Sequence, residues 1–362
     1  MTKTRQKKEK GRAAQQQRPV SRSSTPSVDG FAREVVRELN ENKEVVTPAQ
    51  LLGSNEMAIR IRGVVSTQCP SLDAAIGRGG IPLGRTSLLH GWEGVGKSSI
   101  ALHCSAEAQQ RGGMAVYLDT EYKLDRDYAK GVGVDIDHLA VVQPPHLEAT
   151  FATIEQVIKI SGKYRQKGIA LPIVIVLDSI DSTKSKEVIE GRWDDAHVAP
   201  EPRVWSEKFP KLVPLLAKED VALLLISQRR EKVGVLFGKR DKTSGGNAPR
   251  FYCSLLMGIE RVGSYKVGDD QIEGNETRVY IGKNQIAPPF RSADFRIQYG
   301  RGIDFEDSLL REALRQDVVT QSGAWYSFGD ERLGQGKESA VGYLRGNDKV
   351  RKLILDRLKG AV

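Results

Sequence analysis

Gly91–Ser99 has the sequence GWEGVGKSS, and this stretch decides the fold of the 362-residue chain. It matches the phosphate-loop pattern Gly-x4-Gly-Lys-Ser. The flanking sequence fits this motif, because Thr86–His90 is predicted to be a strand and Ile100–Ala108 a helix. A glycine turn that contains a lysine by chance is therefore disfavoured.

The residue types of this loop suit the binding of phosphate groups. Glycines let backbone N–H groups turn toward the phosphates, Lys97 supplies a compact positive charge, and Ser98 can place its hydroxyl on Mg²⁺. The following helix points its positive dipole end at the same anion. The motif predicts a nucleoside triphosphate site that contains Gly91, Gly94, Gly96, Lys97, Ser98 and Ser99.

Composition narrows the classes of protein that the chain can belong to. Hydrophobic residues make up 39% and charged residues 28%, which predicts a soluble protein with a substantial core. No window approaches the continuous apolar length of a membrane span, and the start carries no signal-peptide pattern. Cys69, Cys104 and Cys253 are isolated, odd in number and without metal-ligand spacing, so a reducing, cytoplasmic compartment is expected.

The net charge of +9 is concentrated in residues 1–27, which hold eight Lys/Arg and one acidic residue. This segment is rich in Gln, Ser and Pro and poor in large apolar residues, so we expect a disordered basic tail. Two interpretations stay open. The tail is a nucleic-acid-binding arm, or it is a solubilising or targeting leader.

The remaining chain is predicted to be an α/β protein. Phe31, Val35 and Leu39 recur at helical spacing, and a short strand is expected from Val45 to Leu52. From about Ile61 to Phe290, apolar strand-like runs alternate with helical stretches, which is typical of a mostly parallel sheet covered by helices. The predicted strands besides Thr86–His90 are Ala115–Asp119, Leu139–Gln143, Ile173–Asp178 and Val221–Gln228.

Polar side chains follow three of these strands where each one ends. Asp178 closes an apolar strand in the manner of a Walker B motif and would hold Mg²⁺ through water. Glu121 is positioned to polarise the attacking water, and Gln228 could contact the terminal phosphate. Because ligands bind at the carboxyl ends of strands in open α/β sheets, these residues are expected to form one site.

Two loops are candidates for nucleic-acid binding. One covers about residues 190–203, and the other follows Gln228 and is basic, rich in glycine and long. Cations could bind phosphates and apolar side chains could contact bases, although a solvated charged loop is an open alternative for each. The candidate DNA-binding residues are Arg192, Trp193, Arg203, Arg230, Lys232, Phe237, Lys239, Arg240, Lys242, Gly245, Gly246 and Asn247.

The chain resembles the bacterial RecA recombinase family from about Val65 to Tyr343. The segments that carry the resemblance are STQCPSLDAAIGRGGIPLGR, GWEGVGKSS, YLDTEYKLDRDYAKGVGVD, IVLDSID, GVLFGKRDKTSGGNAPRFY, NETRVYIGKNQIAPPF and GAWYSFGDERLGQGK. The resemblance implies a RecA-type P-loop ATPase core, an N-terminal helix-strand segment that packs on the neighbouring subunit, and a small C-terminal α/β domain. The corresponding division is a tail at 1–27, the N-terminal segment at 28–60, the core at 61–303 and the C-terminal domain at 304–362.

The resemblance also implies a function. It is that of a recombinase that uses ATP and Mg²⁺, forms a helical filament with itself on single-stranded DNA, and pairs this DNA with homologous duplex DNA. Glu121 is implied as catalytic base, Gln228 as nucleotide sensor, and Asp125 with Tyr128 as the adenine contacts. The Mg²⁺ site would consist of Ser98 and Asp178. Lys97 and Lys283 are implied as catalytic cations, and the implied subunit interface includes Arg250, Phe251, Lys283 and Gln285.

Several positions depart from the family pattern. Lys283-Asn284-Gln285 stands where a segment with two lysines is usual, Arg250 replaces a lysine and Leu256 an arginine. These departures indicate a divergent member, of the kind that a phage or another mobile element would carry. Two other classes stay open, a ring-forming DNA-dependent ATPase or helicase and a DNA-coating protein with little ATP turnover. Gln285 favours the coating protein, whereas Lys97, Glu121 and Gln228 argue against it.

Overall fold

The architecture is taken from a computed structural model of the whole chain. The structure describes residues 28–44, 49–51, 61–192, 200–231, 241–242, 246–267 and 271–360. The basic tail at 1–27 lies outside these ranges. The chain divides into two compact units, Met1–Met57 and Ala58–Val362.

The first unit contains helix α1 (Val28–Glu41), which confirms the predicted amphipathic helix. Its side chains Phe31, Val35 and Leu39 are all exposed. The side chain of Asn40, in the last turn of α1, exchanges two hydrogen bonds with the backbone of Ala49. The strand predicted from Val45 to Leu52 lies mostly outside the described residues, and residues 49–51 form no strand.

The second unit opens with alternating strands and helices. Its first elements are β1 (Val64–Val65), α2 (Pro70–Ile76), β2 (Ile81–Pro82), β3 (Thr86–Gly91), α3 (Lys97–Gln110), β4 (Met114–Asp119), α4 (Arg126–Gly131), β5 (Leu139–Val142), α5 (Leu147–Gln166), β6 (Ile173–Asp178), α6 (Lys186–Glu190), α7 (Glu201–Lys218) and β7 (Val221–Gln228). All five predicted strands of this region are confirmed to within a residue or two at their ends.

Antiparallel strands and a small helical body follow. These elements are β8 (Arg230–Glu231), β9 (Asp241–Lys242), α8 (Ala248–Tyr252), β10 (Leu255–Val267), β11 (Gln271–Asn284), β12 (Ser292–Gln298), β13 (Gly302–Ile303), α9 (Phe305–Arg315), β14 (Thr320–Ser322), β15 (Trp325–Phe328), β16 (Glu331–Gln335), α10 (Lys337–Gly346) and α11 (Asp348–Gly360).

Across the described ranges, the largest sheet has nine strands in the order β13-β12-β11-β10-β3-β7-β6-β4-β5. Neighbouring strands are parallel from β5 to β10. Strands β10 to β13 continue the sheet as antiparallel neighbours. The mostly parallel sheet confirms the predicted fold class, while its antiparallel extension was not among the predicted strands.

Helices cover both faces of the parallel strands, as continuous apolar strands require. Successive residues of β3 show this arrangement, because Leu88 packs in one core and Leu89 in the other. Helix α3 covers the face that carries Leu89, and α5 with α7 covers the face that carries Leu88. On the face that carries Leu88, an aromatic cluster is formed by Phe151, Trp205 and Phe209, with ring centroids 4.9–6.1 Å apart. Both sheet faces are therefore buried, and the strand ends are the places left for a ligand.

The C-terminal helices and the sheet β14–β16 share a separate apolar core. An ionic cluster joins this body to β12. The Arg296 side chain donates hydrogen bonds to Glu276 at 2.7 Å and to both carboxylate oxygens of Glu338 at 2.6 and 2.9 Å. Arg311 bonds both Asp307 and Glu276 at 2.6 Å. Because Asp307 is fully buried and Arg296 nearly so, this cluster ties the C-terminal domain to the edge of the large sheet.

A buried histidine connects α3 with β13. The Nε2 atom of His103 accepts the backbone N–H of Ile303 at 2.8 Å, and Nδ1 lies 2.8 Å from Gln68 Oε1. Space here is tight, because a Cβ at Gly302 (φ +80°) would lie 2.4 Å from His103 Nε2. Burial lowers the pKa of His103 to about 4.

The low pKa of His103 predicts a pH-dependent stability. Below the usual value of 6.5, the unfolded imidazole binds a proton that the folded imidazole does not bind until about pH 4, so stability falls across that window. The free energy of unfolding of the wild type, relative to His103→Gln, should fall by about 2 kcal/mol between pH 7 and pH 5. Urea unfolding of both proteins at both pH values measures this difference, and the titration of other groups largely cancels in it. A difference that does not change with pH would show that His103 titrates normally.

Candidate functional site

The phosphate loop occupies residues 91–96, between β3 and α3. Gly94 and Gly96 adopt positive φ angles of 72° and 100°, a region that side chains disfavour. At Gly96 the space is also closed, because a Cβ would lie 2.1 Å from Ile297 Cδ1 on β12. The predicted strand–loop–helix context is therefore present, and the N-terminus of α3 faces the loop.

Lys97 is the first residue of α3, and only 7% of it is exposed. Its Nζ donates hydrogen bonds to the carbonyl oxygens of Gly91 at 3.0 Å and Trp92 at 2.5 Å. Burial lowers the pKa of this amine, while Asp178 and Glu121 favour its charged form. The structure thus holds the ammonium group in place inside the loop.

Ser98 and Asp178 lie together, as expected for residues that share one metal ion. The Ser98 hydroxyl donates to Asp178 Oδ2 at 2.7 Å, and the Tyr117 hydroxyl donates to the same oxygen at 2.6 Å. Burial raises the pKa of Asp178. A hydroxyl and a carboxylate form an oxygen donor set of the type that Mg²⁺ prefers when phosphates complete its coordination. These residues therefore fit Mg²⁺.

Glu121 and Gln228 meet at the ends of β4 and β7. Gln228 Nε2 donates to Glu121 Oε1 at 3.0 Å, and the Ser179 hydroxyl donates to the same oxygen at 2.5 Å. The residue after Gln228 is bonded to the phosphate loop as well, because the N–H of Arg229 donates to Gly91 O at 2.9 Å. The candidate base, the candidate sensor and the phosphate loop are thereby joined by hydrogen bonds.

These groups line a cavity of about 470 Å³, a volume typical of a small-molecule site. Its described lining consists of Glu93, Gly94, Gly96, Lys97, Ser98, Ser99, Leu102, Tyr117, Asp119, Glu121, Lys123, Leu124, Asp125, Tyr128, Asp178, Gln228, Asn275, Ile297, Tyr299 and Gly300. Of the predicted nucleotide contacts, Gly91 lies behind this lining, where its carbonyl accepts the Lys97 ammonium. The structure therefore brings the predicted phosphate-binding residues, metal ligands and catalytic base into one cavity.

The candidate adenine contacts lie in the same cavity. Asp125 caps α4 by accepting the N–H of Tyr128 at 2.8 Å. The hydroxyl of Tyr128 lies 2.5 Å from Ser99 Oγ, and burial raises its pKa. An aromatic ring and a carboxylate suit the stacking and hydrogen bonding of a base.

Sequence reasoning missed the part of the cavity formed by the antiparallel strands. The Asn275 amide on β11 donates to Gly94 O at 3.1 Å, and its oxygen accepts from the Tyr299 hydroxyl at 3.1 Å. Ile297 and Gly300 complete this wall. No local motif marks these residues, because only the long β10–β11–β12 meander brings them to the loop. Tyr117, in contrast, lies on β4, the predicted strand that precedes the candidate base Glu121.

The DNA-binding candidates are described only in part. Trp193, Lys232, Phe237, Lys239, Arg240 and Gly245 lie outside the described residues. Backbone pairing of β8 with β9 places Arg230 opposite Lys242. Arg192 and Arg203 are exposed on either side of the gap at 193–199. A Cβ at Gly246 would lie 3.1 Å from Pro202 Cβ, so the segment before α8, which includes Asn247, reaches the start of α7. The C-terminal ends of the two candidate loops are thus adjacent.

The interface candidates form a second cluster. Lys283 at the end of β11 donates to the backbone oxygens of Phe251 at 2.7 Å and Arg250 at 3.3 Å. Phe251 is 72% exposed, and Gln285 is exposed while its N–H donates to Ser254 O. Within the described part of the chain, the lining of the nucleotide cavity includes none of these four candidates. These four residues therefore lie apart from the described lining of the cavity.

Comparisons with known proteins give consistent results over almost the whole chain. A family model described as RecA N-terminal domain matches residues 42–304, and one described as RecA C-terminal domain matches residues 308–362. Protein RecA of Clostridium perfringens (strain SM101 / Type A) is 44% identical over 286 residues, which cover 79% of this chain and 78% of that protein. Protein RecA of Saccharopolyspora erythraea is 42% identical over 296 residues, 82% of this chain and 83% of that protein.

The geometry of the cavity predicts separable effects on nucleotide binding and hydrolysis. Lys97→Ala should abolish nucleotide binding, because it removes the buried ammonium of the loop. Glu121→Gln should keep binding but lower hydrolysis about 10²- to 10⁴-fold, the usual cost of removing a general base. Equilibrium binding and steady-state hydrolysis of ATP measure the two effects.

Asp127→Asn is the matched control, since it makes the same carboxylate-to-amide change at an exposed position of α4. Hydrolysis by Glu121→Gln at the rate of this control would show that the base assignment is wrong.

Proposed function

Because this chain belongs to the RecA family, we propose that it uses ATP to pair and exchange homologous DNA strands. It is a DNA-dependent ATPase and recombinase that forms helical filaments on single-stranded DNA. The observation that carries this assignment is the cavity that joins Lys97, Asp178, Glu121 and Gln228, in a chain that matches both RecA domains.

The nucleotide of this proposal is ATP with Mg²⁺. The phosphates would lie against the N–H groups of Gly94 to Ser99 and the ammonium of Lys97. The ring of Tyr128 and the carboxylate of Asp125 would contact adenine. Ser98 and Asp178 would hold Mg²⁺, which when bound neutralises charge on the phosphate oxygens.

Hydrolysis in this proposal depends on Glu121. Its carboxylate would orient and polarise the attacking water, which requires that one oxygen face the terminal phosphate. Gln228 holds Oε1 of Glu121, and the residue that follows Gln228 is bonded to the phosphate loop. A change at the terminal phosphate would therefore reach the start of the loop that follows β7, which is a candidate DNA contact.

Single-stranded and double-stranded DNA are the proposed nucleic-acid partners. The close approach of Gly246 to Pro202 supports one shared surface for both candidate loops. Arg192, Arg203 and the basic residues of the second loop would contact phosphates, and Trp193 and Phe237 would contact bases. Action on DNA also implies a cytoplasmic, nucleoid-associated location as part of the proposal.

The other proposed partner is a second copy of the chain. Arg250, Phe251, Lys283 and Gln285 are grouped at the end of β11 and on the neighbouring α8, apart from the cavity of their own protomer. We place this cluster against the ATP site of the next protomer, with Lys283 as the cation that completes it. The exposed apolar side chains of α1 would pack on a neighbouring subunit.

Electron microscopy with single-stranded DNA and a non-hydrolysable ATP analogue tests the proposed function, together with ATP hydrolysis with and without DNA. Helical filaments and DNA-stimulated turnover are expected. Closed rings would instead support the ring-forming ATPase. Filaments without turnover would support a DNA-coating protein, the second candidate, which the neutral side chain of Gln285 favours.

The interfacial site predicts opposite effects for two substitutions. A preorganised donor at a transition-state charge is typically worth about 10²- to 10³-fold in rate. Lys283→Ala should therefore lower DNA-stimulated hydrolysis by about that factor, and Gln285→Lys should raise it because a second cation is restored. Steady-state hydrolysis on saturating single-stranded DNA is the measurement.

Lys163→Ala, at an exposed position of α5, controls for the loss of a surface lysine. If Lys283→Ala hydrolyses ATP as fast as this control, Lys283 does not reach the phosphates of a neighbour.

A further inference from the structure

A second lysine stands at the mouth of the nucleotide cavity. Lys123 follows β4 by four residues, and its Nζ lies 3.3 Å from Glu121 Oε2 and 3.7 Å from Glu93 Oε1. Its side chain is 65% exposed, whereas that of Glu121 is 15% exposed. The ammonium therefore bridges the phosphate loop and the segment that carries the candidate base.

The backbone of Lys123 is anchored although its side chain is exposed. Asp119, which is 4% exposed, accepts the N–H of Lys123 and the N–H of Leu124, both at 3.2 Å. This buried carboxylate sets where the lysine stem begins. The long side chain of Lys123 can then move its ammonium group while the backbone at Lys123 stays fixed.

Carboxylates outnumber cations in the described lining of the cavity. Among the described residues that line it, the cations are Lys97 and Lys123, and the carboxylates are Glu93, Asp119, Glu121, Asp125 and Asp178. A nucleoside triphosphate adds more negative charge. Lys97 is held by two carbonyl oxygens at the base of the loop, so it reaches the phosphates from one side.

Lys123 can move to a phosphate at little cost. Its pair with Glu93 is exposed on both sides, and such pairs contribute about 0–1 kcal/mol. In its pair with Glu121 the carboxylate is mostly buried, but the ammonium itself stays in contact with solvent. A terminal phosphate next to Glu121 would place a strong acceptor beside this ammonium. A charge-assisted hydrogen bond to phosphate is shorter and stronger than an exposed ion pair.

Movement of Lys123 would also change Glu121. Oε1 of Glu121 already accepts hydrogen bonds from Ser179 and Gln228, and Lys123 lies beside Oε2. If the ammonium transfers to the phosphate, Oε2 is left open for a water molecule. The same movement would bind the substrate and expose the base.

We infer that Lys123 is a phosphate-binding residue that contacts the terminal phosphate of the nucleoside triphosphate. This inference rests on the proposed function, since it assigns a further contact in the same ATP site. It makes Lys123 a determinant of the preference for triphosphate over diphosphate, supplied by the protomer that binds the nucleotide.

The test is the affinity for two nucleotides, AMP-PNP and ADP, measured with Mg²⁺ and without DNA. Lys123→Ala should weaken AMP-PNP binding roughly 10- to 100-fold, as expected for the loss of a hydrogen bond to a charged group. ADP binding should change less than about 2-fold, because ADP lacks the terminal phosphate. Lys123→Arg should recover most of the loss. Unchanged ADP binding also shows that the variant is folded.

Lys130→Ala is the matched control, because this exposed lysine of α4 is seven residues away and is not in the described cavity lining. If Lys123→Ala weakens the binding of both nucleotides equally, or binds AMP-PNP as tightly as Lys130→Ala does, the assignment of Lys123 is wrong. The proposed function is not affected by either result. A wild-type protein that binds neither nucleotide would overturn the proposed function and this assignment together.

Discussion

The register of four parallel strands determines the geometry of the nucleotide site. Pairing of β3 with β7 places Gly91 beside Gln228, and pairing of β4 with β6 places Asp119 beside Asp178. A slip of one residue would turn every side chain of a strand to the opposite face. Because both faces are packed, such a slip would misfit the side chains of both cores and would move the polar residues at the strand ends out of line with one another. Core packing therefore holds the phosphate loop, the candidate metal ligand Asp178 and the candidate sensor Gln228 close together.

Much of this arrangement could be predicted from the sequence. Apolar runs that end in Asp178 or Gln228 indicate strands of a parallel sheet, and parallel strands end at one edge. The phosphate-loop motif then identifies the edge as a phosphate site. The predicted residues that line the cavity lie at the ends of β6 and β7, or on the loops and helices that follow β3 and β4.

The wall of the cavity opposite these strands could not be predicted in the same way. Asn275 reaches the phosphate loop, and Tyr299 reaches Asn275, because β10, β11 and β12 form antiparallel neighbours. The pairing of β10 with β11 is interrupted by bulges. Bulges break the alternation of polar and apolar residues that would mark a strand. The role of Lys123 could not be predicted from the sequence either. Its importance depends on its distance to Glu93 and Glu121, and a lysine after a strand is otherwise an ordinary surface residue.

In the proposed assembly, the triphosphate binds among Lys97, Ser98, Glu121 and Gln228 of one protomer, and Lys283 of the next protomer completes the site. Cryo-electron microscopy of the protein on single-stranded DNA, with a non-hydrolysable ATP analogue and Mg²⁺, tests this most directly. We expect density for the terminal phosphate within hydrogen-bonding distance of Lys97 and Gln228, with the neighbour's Lys283 facing it. A nucleotide bound elsewhere, or a filament whose subunit contacts leave Lys283 away from the phosphates, would contradict it.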